Sequence, residues 1–202
     1  MKRLIGVHLS FNQRLEGIVE RAAELKIQTF QIFGGNPRQW RSASFDVENV
    51  VDFQRSLKKY EIKQFYLHSI YLINLASKND YIHQNSIKSL VDFMHKAEML
   101  GAEGVITHIG SAREHEDGES ARERVAAAIN HVLGKTKSGL LILENTAWGE
   151  GELGSSIEGL SGIYKLIKNK NRVGFCLDTA HLYESGYDIK TEEAIQKTLK
   201  TI

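Results

Sequence analysis

Five side chains of this sequence are of the kinds that bind transition metals, and each follows a short apolar run. They are His68, His108, Glu144, Asp178 and His181. Imidazole and carboxylate donors without a thiolate suit zinc, manganese or iron in a hydrolytic site. A lone histidine at a strand end is more often a hydrogen-bonding residue than a ligand, but five such residues on consecutive strand ends are not independent. The pattern therefore predicts one metal-binding site.

Glu144 is the predicted catalytic residue of that site. Its two carboxylate oxygens could bridge two metal ions, and metals held close together can clamp a phosphodiester and activate water. Asn145 and Thr146 follow it directly and could orient ligands by hydrogen bonds. They are equally plausible as loop residues that bond locally.

The rest of the sequence supplies a scaffold that can bring these strand ends together. Short apolar runs alternate with segments of helical period. The six predicted strands are residues 4–8, 29–33, 65–68, 104–108, 140–144 and 173–178. Helical patterns include residues 87–97, with Gly101 as a predicted C-terminal stop, and residues 125–133, followed by Gly134. Six βα units therefore follow one another without a visible linker.

Strands that alternate with helices predict a parallel sheet, either open and doubly wound or closed into a barrel. Strand ends meet at one rim in a barrel, whereas an open sheet spreads them along an edge. Residues 10–13 after the first strand lack the spacing of a dinucleotide-binding glycine loop. We therefore predict an α/β fold, a TIM-type (β/α)8 barrel with about six of its eight units present, and treat residues 1–202 as a single domain.

Composition excludes several classes of protein. With 42% hydrophobic residues the chain can bury a core, and no apolar run approaches the ~20 residues needed to cross a bilayer. A formal charge of +1 lacks the basic excess of a protein that holds nucleic acid mainly by charge, so any DNA contact must be local. We expect Cys176, the single cysteine, to be a small buried apolar residue. We also expect a soluble protein of the cytoplasm.

The sequence resembles endonuclease IV, the zinc-dependent apurinic/apyrimidinic endonuclease family of base-excision repair, which has a xylose-isomerase-like barrel. The resemblance covers nearly the whole chain, in order and at the family's spacing. The stretches that carry it are residues 6–10, 36–41, 68–75, 107–111, 143–147 and 176–181. It implies hydrolysis of the phosphodiester 5′ to an abasic site by three zinc ions, with trimming of blocked 3′ ends. The implied partner is double-stranded DNA that carries such damage.

The resemblance also assigns the metal ligands. It implies that His68, His108 and Glu144 hold one zinc ion, that Glu144 and Asp178 hold a second, and that His181 binds the third. The family's last two strands carry further ligands that have no counterpart in these residues. We therefore expect a barrel without its C-terminal part, which holds about one zinc ion tightly and shows little or no incision by itself.

The resemblance further implies a DNA-binding set and a site-lining residue. The DNA-binding residues are Asn36, Arg38, Gln39 and Tyr71, and His8 lines the site without binding metal. An arginine and a tyrosine beside the rim could enter the minor groove and fill the gap left by an extruded nucleotide. Without the match, Arg38 would be an ordinary solvated charge. Pro37 departs from the commoner residue of the family's loop.

Two other functions stay open at this point. A sugar isomerase or epimerase on the same barrel would also place Glu, Asp and His at strand ends. A catalytically silent DNA-binding remnant would keep the loops without the complete metal cluster. We expect the complete protein to be a monomer, whereas open edges at strands one and six would favour self-association of residues 1–202.

Overall fold

A computed structural model of the chain describes residues 3–10, 14–40, 45–115 and 117–200. Parallel strands alternate with helices in this part of the chain. The elements are β1 Gly6–Leu9, α1 Leu15–Glu24, β2 Thr29–Phe33, α2 Val47–Lys59, β3 Gln64–His68, α3 Asp80–Leu100, β4 Gly104–Thr107, α4 Gly118–Lys135, β5 Leu140–Glu144, α5 Ile157–Leu166, a turn of 3-10 helix at Lys170–Arg172, β6 Val173–Cys176, α6 Thr179–Glu184 and α7 Glu192–Leu199. The predicted strands are confirmed to within two residues at each end.

Each strand pairs in parallel with the strand that follows it in the sequence. The order is β1-β2-β3-β4-β5-β6, and the described part of the sheet is not closed, so β1 and β6 are its two edges. This arrangement is that of six consecutive units of a (β/α)8 barrel, as predicted. The carboxyl ends of all six strands therefore lie along one rim.

The two faces of the sheet have different roles. Residues such as Phe30, Leu67 and Leu141 point toward the helices and belong to the main hydrophobic core. The alternate positions line the concave face, where Ile106 and Ile142 are buried outside that core. The strand register pairs His68 with Ile106 and Ile106 with Ile142, so these side chains share the concave side.

Helix α3 begins and ends where its caps predict. Asn79 caps α3 by accepting a hydrogen bond from the backbone N–H of Ile82, and Gly101 ends it in the left-handed conformation with φ of 82°. The stop predicted at Gly101 is thus confirmed. Helix α4 instead continues past Gly134 to Lys135, because the preceding Val132 and Leu133 are buried and hold its last turn. Among the described helices none has both the length and the apolar character needed to span a membrane.

Cys176 is less buried than the sequence predicts. It is only half-buried because β6 is an edge strand of the described sheet, with one side uncovered. Burial raises the pKa of its thiol to about 12, and the Glu144 and Asp178 carboxylates contribute in the same direction. The thiol is therefore protonated at neutral pH and behaves as a small apolar group, as expected.

Candidate metal centre

The five predicted metal ligands meet at the carboxyl rim of β3 to β6. Donor atoms of His68, His108 and Glu144 all lie within 4.8 Å of one another. Donor atoms of Glu144, Asp178 and His181 form a second group of the same size. Glu144 belongs to both groups, so it stands where one carboxylate can serve two ions.

The contact between His68 and Glu144 favours a cation. His68 Nδ1 lies 2.8 Å from the backbone oxygen of Ser69, a pure acceptor, which assigns a proton to Nδ1. The Nε2 atom of the same ring lies 3.0 Å from Glu144 Oε2, and both side chains are buried. A neutral ring would set its Nε2 lone pair against a carboxylate oxygen, which is unfavourable. A second proton or a metal ion between the two atoms removes the conflict.

His108 completes the first group. Its Nε2 lies 3.6 Å from Glu144 Oε2. Burial lowers the pKa of His108, and Glu144 opposes this effect. A lowered pKa keeps the ring neutral, the form in which imidazole binds metal. Its Nδ1 is buried and has no hydrogen-bond partner among the described residues, so the proton position on this ring is not fixed as it is in His68.

Asn145 places the two ligands that follow β6. Its side chain is 2% exposed and bonds the backbone of Asp178 at both ends: Oδ1 accepts from the N–H at 2.6 Å, and Nδ2 donates to the oxygen at 3.1 Å. The backbone oxygen of Asn145 accepts from His181 Nδ1 at 2.8 Å, which leaves Nε2 of His181 free for a ligand. These contacts fit the orienting role considered for Asn145, which stays a prediction.

The contacts of Thr146 are instead those of a loop residue that bonds locally. Its backbone N–H donates to Gly154 at 3.0 Å, and its backbone oxygen accepts from Ser185 Oγ at 3.1 Å. Its hydroxyl is buried without a hydrogen-bond partner among the described residues. Thr146 therefore holds the loop after β5 through its backbone.

These contacts fit a metal centre. Metal-binding histidines commonly donate their second ring N–H to a backbone carbonyl or carboxylate, which fixes the ring. His68 and His181 both do so, through Ser69 and Asn145. Nitrogen and carboxylate donors without sulfur are a set that zinc accepts.

The predicted DNA-binding residues form one continuous stretch of the rim beside His68. The backbone N–H of Tyr71 donates to the backbone oxygen of Pro37 at 2.9 Å, which joins the loops after β2 and β3. Asn36 Oδ1 accepts from the N–H of Arg38 at 3.0 Å, and its backbone oxygen accepts from the N–H of Gln39 at 3.2 Å. The side chains of Asn36, Arg38 and Gln39 are exposed. Pro37 thus supports the loop through its carbonyl.

Tyr71 is 58% exposed, and its ring lies edge-on to Phe33 with centroids 5.3 Å apart. Trp40 in the neighbouring loop packs against the hydrophobic core. Residue 41, the last of that matching stretch, lies outside the described residues. An exposed aromatic ring and an exposed guanidinium therefore stand together on a stretch of rim whose backbone is held by hydrogen bonds.

His8 lies near the cluster but outside both donor groups of the described chain. Its Nδ1 accepts from Gln31 Nε2 at 2.9 Å, and its ring lies 4.5 Å from Phe33 and 6.1 Å from His68 between centroids. Burial of part of the ring, and then the neighbouring His68, lower its pKa. His8 therefore lies beside the predicted ligands, and its site-lining role stays a prediction.

Two residues that the sequence did not single out hold the rim loops together. Asn74 Oδ1 accepts from the N–H groups of Ala76 at 3.0 Å and Ser111 at 3.3 Å, so it joins the loops after β3 and β4. Gly110 has a φ of 99°, and a Cβ built on it would lie 2.3 Å from Asn74 Oδ1. Only glycine fits there. Both lie in stretches that carry the family resemblance, which is the one signal that marks them.

Three long polar side chains fix the carbonyl groups of the loop after β3. His83 Nδ1 donates to Leu75 at 3.0 Å, His115 Nε2 contacts the Ala76 oxygen at 2.6 Å, and Arg124 Nε donates to Ser77 at 3.0 Å. Isolated histidines in helical or charged segments carry no sequence signal for such a role. The loop that bears Tyr71 is therefore held from α3, from the loop after β4 and from α4.

Comparison with known proteins identifies relatives of this chain. Residues 19–202 match the family model described as xylose isomerase-like TIM barrel. The chain is 34% identical over 197 residues to the probable endonuclease 4 of Nitrosopumilus maritimus, a match that covers 96% of this chain and 70% of that protein.

Two solved structures are informative. The crystal structure of endonuclease IV from Thermus thermophilus superposes with a TM-score of 0.85 at 31% identity, over 98% of this chain and 70% of that one. A D-tagatose 3-epimerase-like protein superposes with a TM-score of 0.73 at 20% identity, over 95% of this chain and 72% of that one. The second likeness concerns the fold alone.

Proposed function

The chain belongs to the endonuclease IV family of xylose isomerase-like TIM barrels, and from that premise we propose that it acts in DNA repair on the phosphodiester 5′ to an abasic site. Trimming of blocked 3′ ends would use the same phosphate-binding centre. The observation that carries the proposal is the sharing of Glu144 between two groups of three donors.

In this proposal His68, His108 and Glu144 hold one zinc ion, and Glu144, Asp178 and His181 hold a second. Zinc bound there supplies positive charge to the phosphate and lowers the pKa of water. The resemblance assigned His181 to a separate third ion, whereas the described geometry groups it with Asp178. About one tightly bound zinc ion is expected from the sequence, and the described residues form two groups of three possible donors.

The protein's own residues bind and orient the substrate. Arg38 and Tyr71 stand on joined loops beside His68, where they would contact a damaged strand bound at the centre. Ser69 and Asn145 keep two imidazole rings at fixed angles through backbone oxygens. Because these groups are ordered before substrate arrives, little of the binding free energy is lost in arranging them.

The isomerase or epimerase alternative has weaker support. Its solved relatives share this fold at 20% identity, whereas the endonuclease relatives reach 34% over nearly the whole chain. An epimerase also has no need of an exposed arginine and tyrosine at the rim. The silent-remnant alternative predicts DNA binding without zinc.

A binding assay decides between these functions. The chain is loaded with zinc, its metal content is measured, and it is titrated with an intact duplex and with the same duplex carrying one abasic site. We expect zinc-dependent preference for the abasic duplex, and any cut to fall on its 5′ side. Equal affinity for both duplexes would contradict the proposal, and so would turnover of a ketose. Binding to the abasic duplex that is unchanged when a chelator removes the metal would also contradict it.

A further inference from the structure

Trp148 is the most exposed large aromatic side chain among the described residues. Its indole is 73% exposed, on the loop between β5 and α5, four residues after Glu144. A single exposed apolar residue needs no explanation by itself. The ordered loop that carries Trp148, and the position of this loop on the rim, do require an explanation.

The loop that carries Trp148 is held firmly on its C-terminal side. The N–H of Ala112 donates to the oxygen of Gly151 at 2.7 Å, and the N–H of Leu153 donates to the oxygen of Gly110 at 3.3 Å. Arg113 Nε donates to the oxygen of Glu150 at 2.7 Å. On the N-terminal side Asn145 and Thr146 are anchored as described above. The indole is therefore presented to solvent by an ordered backbone.

The order of the strands places the loops of Tyr71 and Trp148 on either side of β4. Tyr71 follows β3 and Trp148 follows β5, with β4 and His108 between them. The two exposed aromatic rings thus belong to the loops that follow β3 and β5, the strands that carry His68 and Glu144. A strand bound across the centre would meet Tyr71 on one side and Trp148 on the other.

The charge around Trp148 favours contact with a base over contact with a phosphate. Glu150 and Glu152 follow it closely in the sequence, and their carboxylates repel a phosphate. Arg113 faces Glu152 and offsets only part of this charge. The indole face itself is uncharged and suits stacking with a nucleobase.

We propose that Trp148 stacks on an unpaired base of the damaged duplex, on the side of the metal centre opposite Tyr71. The proposal rests on the proposed DNA-repair function, because it needs a substrate with a disrupted base stack. Stacking platforms of this kind are tolerant of sequence, since every base has a π face. Trp148 would therefore raise the affinity for damaged DNA whatever the base sequence around the damaged site.

Fluorescence of Trp148 tests the contact directly. Trp40→Phe leaves Trp148 as the single tryptophan, and quenching by acrylamide is compared for the free protein and for complexes saturated with intact or abasic duplex. Saturation is followed separately by anisotropy of labelled DNA. We expect protection of about 2-fold or more in the abasic complex only, because stacking removes the indole from solvent. Equal protection by both duplexes, or none with abasic DNA bound, would overturn the inference while the proposed function stood.

Affinity of variants in the otherwise unchanged chain gives a second measure. Because the side chain is exposed, neither Trp148→Ala nor Trp148→Phe should affect folding. Trp148→Ala should weaken abasic-DNA binding about 10-fold, and Trp148→Phe clearly less, since it retains a ring. An unchanged affinity for Trp148→Ala would refute the stacking contact. Failure of the unmodified chain to prefer abasic DNA would instead refute the proposed function, and with it the basis of this inference.

Discussion

The side chain of Asn145 forms hydrogen bonds with both the N–H and the C=O of Asp178, and so extends the pairing of β5 and β6 beyond the ends of the strands. Both bonds are lost in Asn145→Ala, and the free energy of unfolding should fall by about 1–3 kcal/mol because the partly buried N–H and C=O groups of Asp178 lose their partners. Zinc affinity should fall about 10-fold or more, since Asp178 and His181 lose their placement. Urea denaturation and zinc titration measure the two effects.

Asn130 offers a matched control for that variant. Its side chain also makes two bonds to backbone, with Leu166 and Lys168, at a distance in the fold from both donor groups. Asn130→Ala should cost stability but leave zinc affinity unchanged. Equal loss of zinc affinity in the two variants would show that Asn145 acts only through general stability.

Removal of the shared carboxylate should be the most damaging change to the metal centre. We expect Glu144→Ala to lose tight zinc binding and zinc-dependent incision, in this chain or in any longer protein that contains it. Residual DNA binding through Arg38 and Tyr71 should survive, because neither residue is a predicted metal ligand, whereas the zinc-dependent part of the preference for the abasic duplex should be lost. Glu98→Gln, in the last turn of α3, serves as the control for loss of one carboxylate. Retention of more than about a tenth of the incision rate, equivalent to only ~1.4 kcal/mol, would contradict the assigned role.

The joined loops at the rim should distinguish damaged from intact DNA. Arg38→Ala and Tyr71→Ala are each expected to weaken binding to an abasic duplex about 10-fold, and binding to the intact duplex much less, because their contacts offset the cost of unstacking. Titrations of both duplexes at one salt concentration measure the difference. Arg55→Ala, which removes an exposed arginine of α2, is the control. Equal weakening on both duplexes would make Arg38 and Tyr71 ordinary phosphate contacts.

The stability of the metal-free protein should depend on pH through His83. Burial, and then Arg124, lower the pKa of His83 below its ordinary 6.5, while the Leu75 carbonyl and Asp80 act in the opposite direction. The unfolded chain therefore binds this proton more readily than the folded protein, and stability is lost as the pH falls below about 6.5. His83→Gln removes this contribution. Between about pH 8 and about pH 5, the advantage of the unmodified protein over the variant should shrink.

Urea denaturation of both proteins in the presence of a chelator measures that difference. The chelator separates His83 from the histidines that bind metal. A difference between the two proteins that stays constant, or grows in acid, would show that His83 does not have a lowered pKa.

Gly110 and Gly134 should respond to alanine in opposite directions. Gly110→Ala forces a side chain into a left-handed backbone and against Asn74, so the free energy of unfolding should fall by at least about 2 kcal/mol. Gly134 lies exposed in the last turn of α4 with open space around it. Gly134→Ala should raise stability by up to about 1 kcal/mol. Thermal or chemical unfolding tests both signs, and a stabilised Gly110→Ala protein would show that the two loops can separate without cost.

The sequence predicts the strand ends well and the loops poorly, for a physical reason. His68 and Glu144 end apolar runs, and in parallel strands that alone sets them on one rim. The grouping of His181 with Glu144 depends instead on the direction of α6, which Asn145 fixes through hydrogen bonds that no periodicity reveals. The roles of Asn74 and His83 depend in the same way on loop conformation. Helix α4 passes Gly134 because packing of its preceding turn outweighs the local preference of glycine.

The sequential strand order also has a consequence for synthesis in the cell. Because every strand pairs with its neighbour in the sequence, each βα unit can dock on the one before it as the chain leaves the ribosome. His68 and Glu144 are separated by 76 residues, so Glu144 emerges roughly 4–15 s after His68 at ordinary translation rates. Until then the nascent chain has only isolated imidazoles. In the proposed function, acquisition of zinc is therefore a late event that follows the docking of β5, and zinc-starved cells should accumulate the apo form without delay to the earlier units.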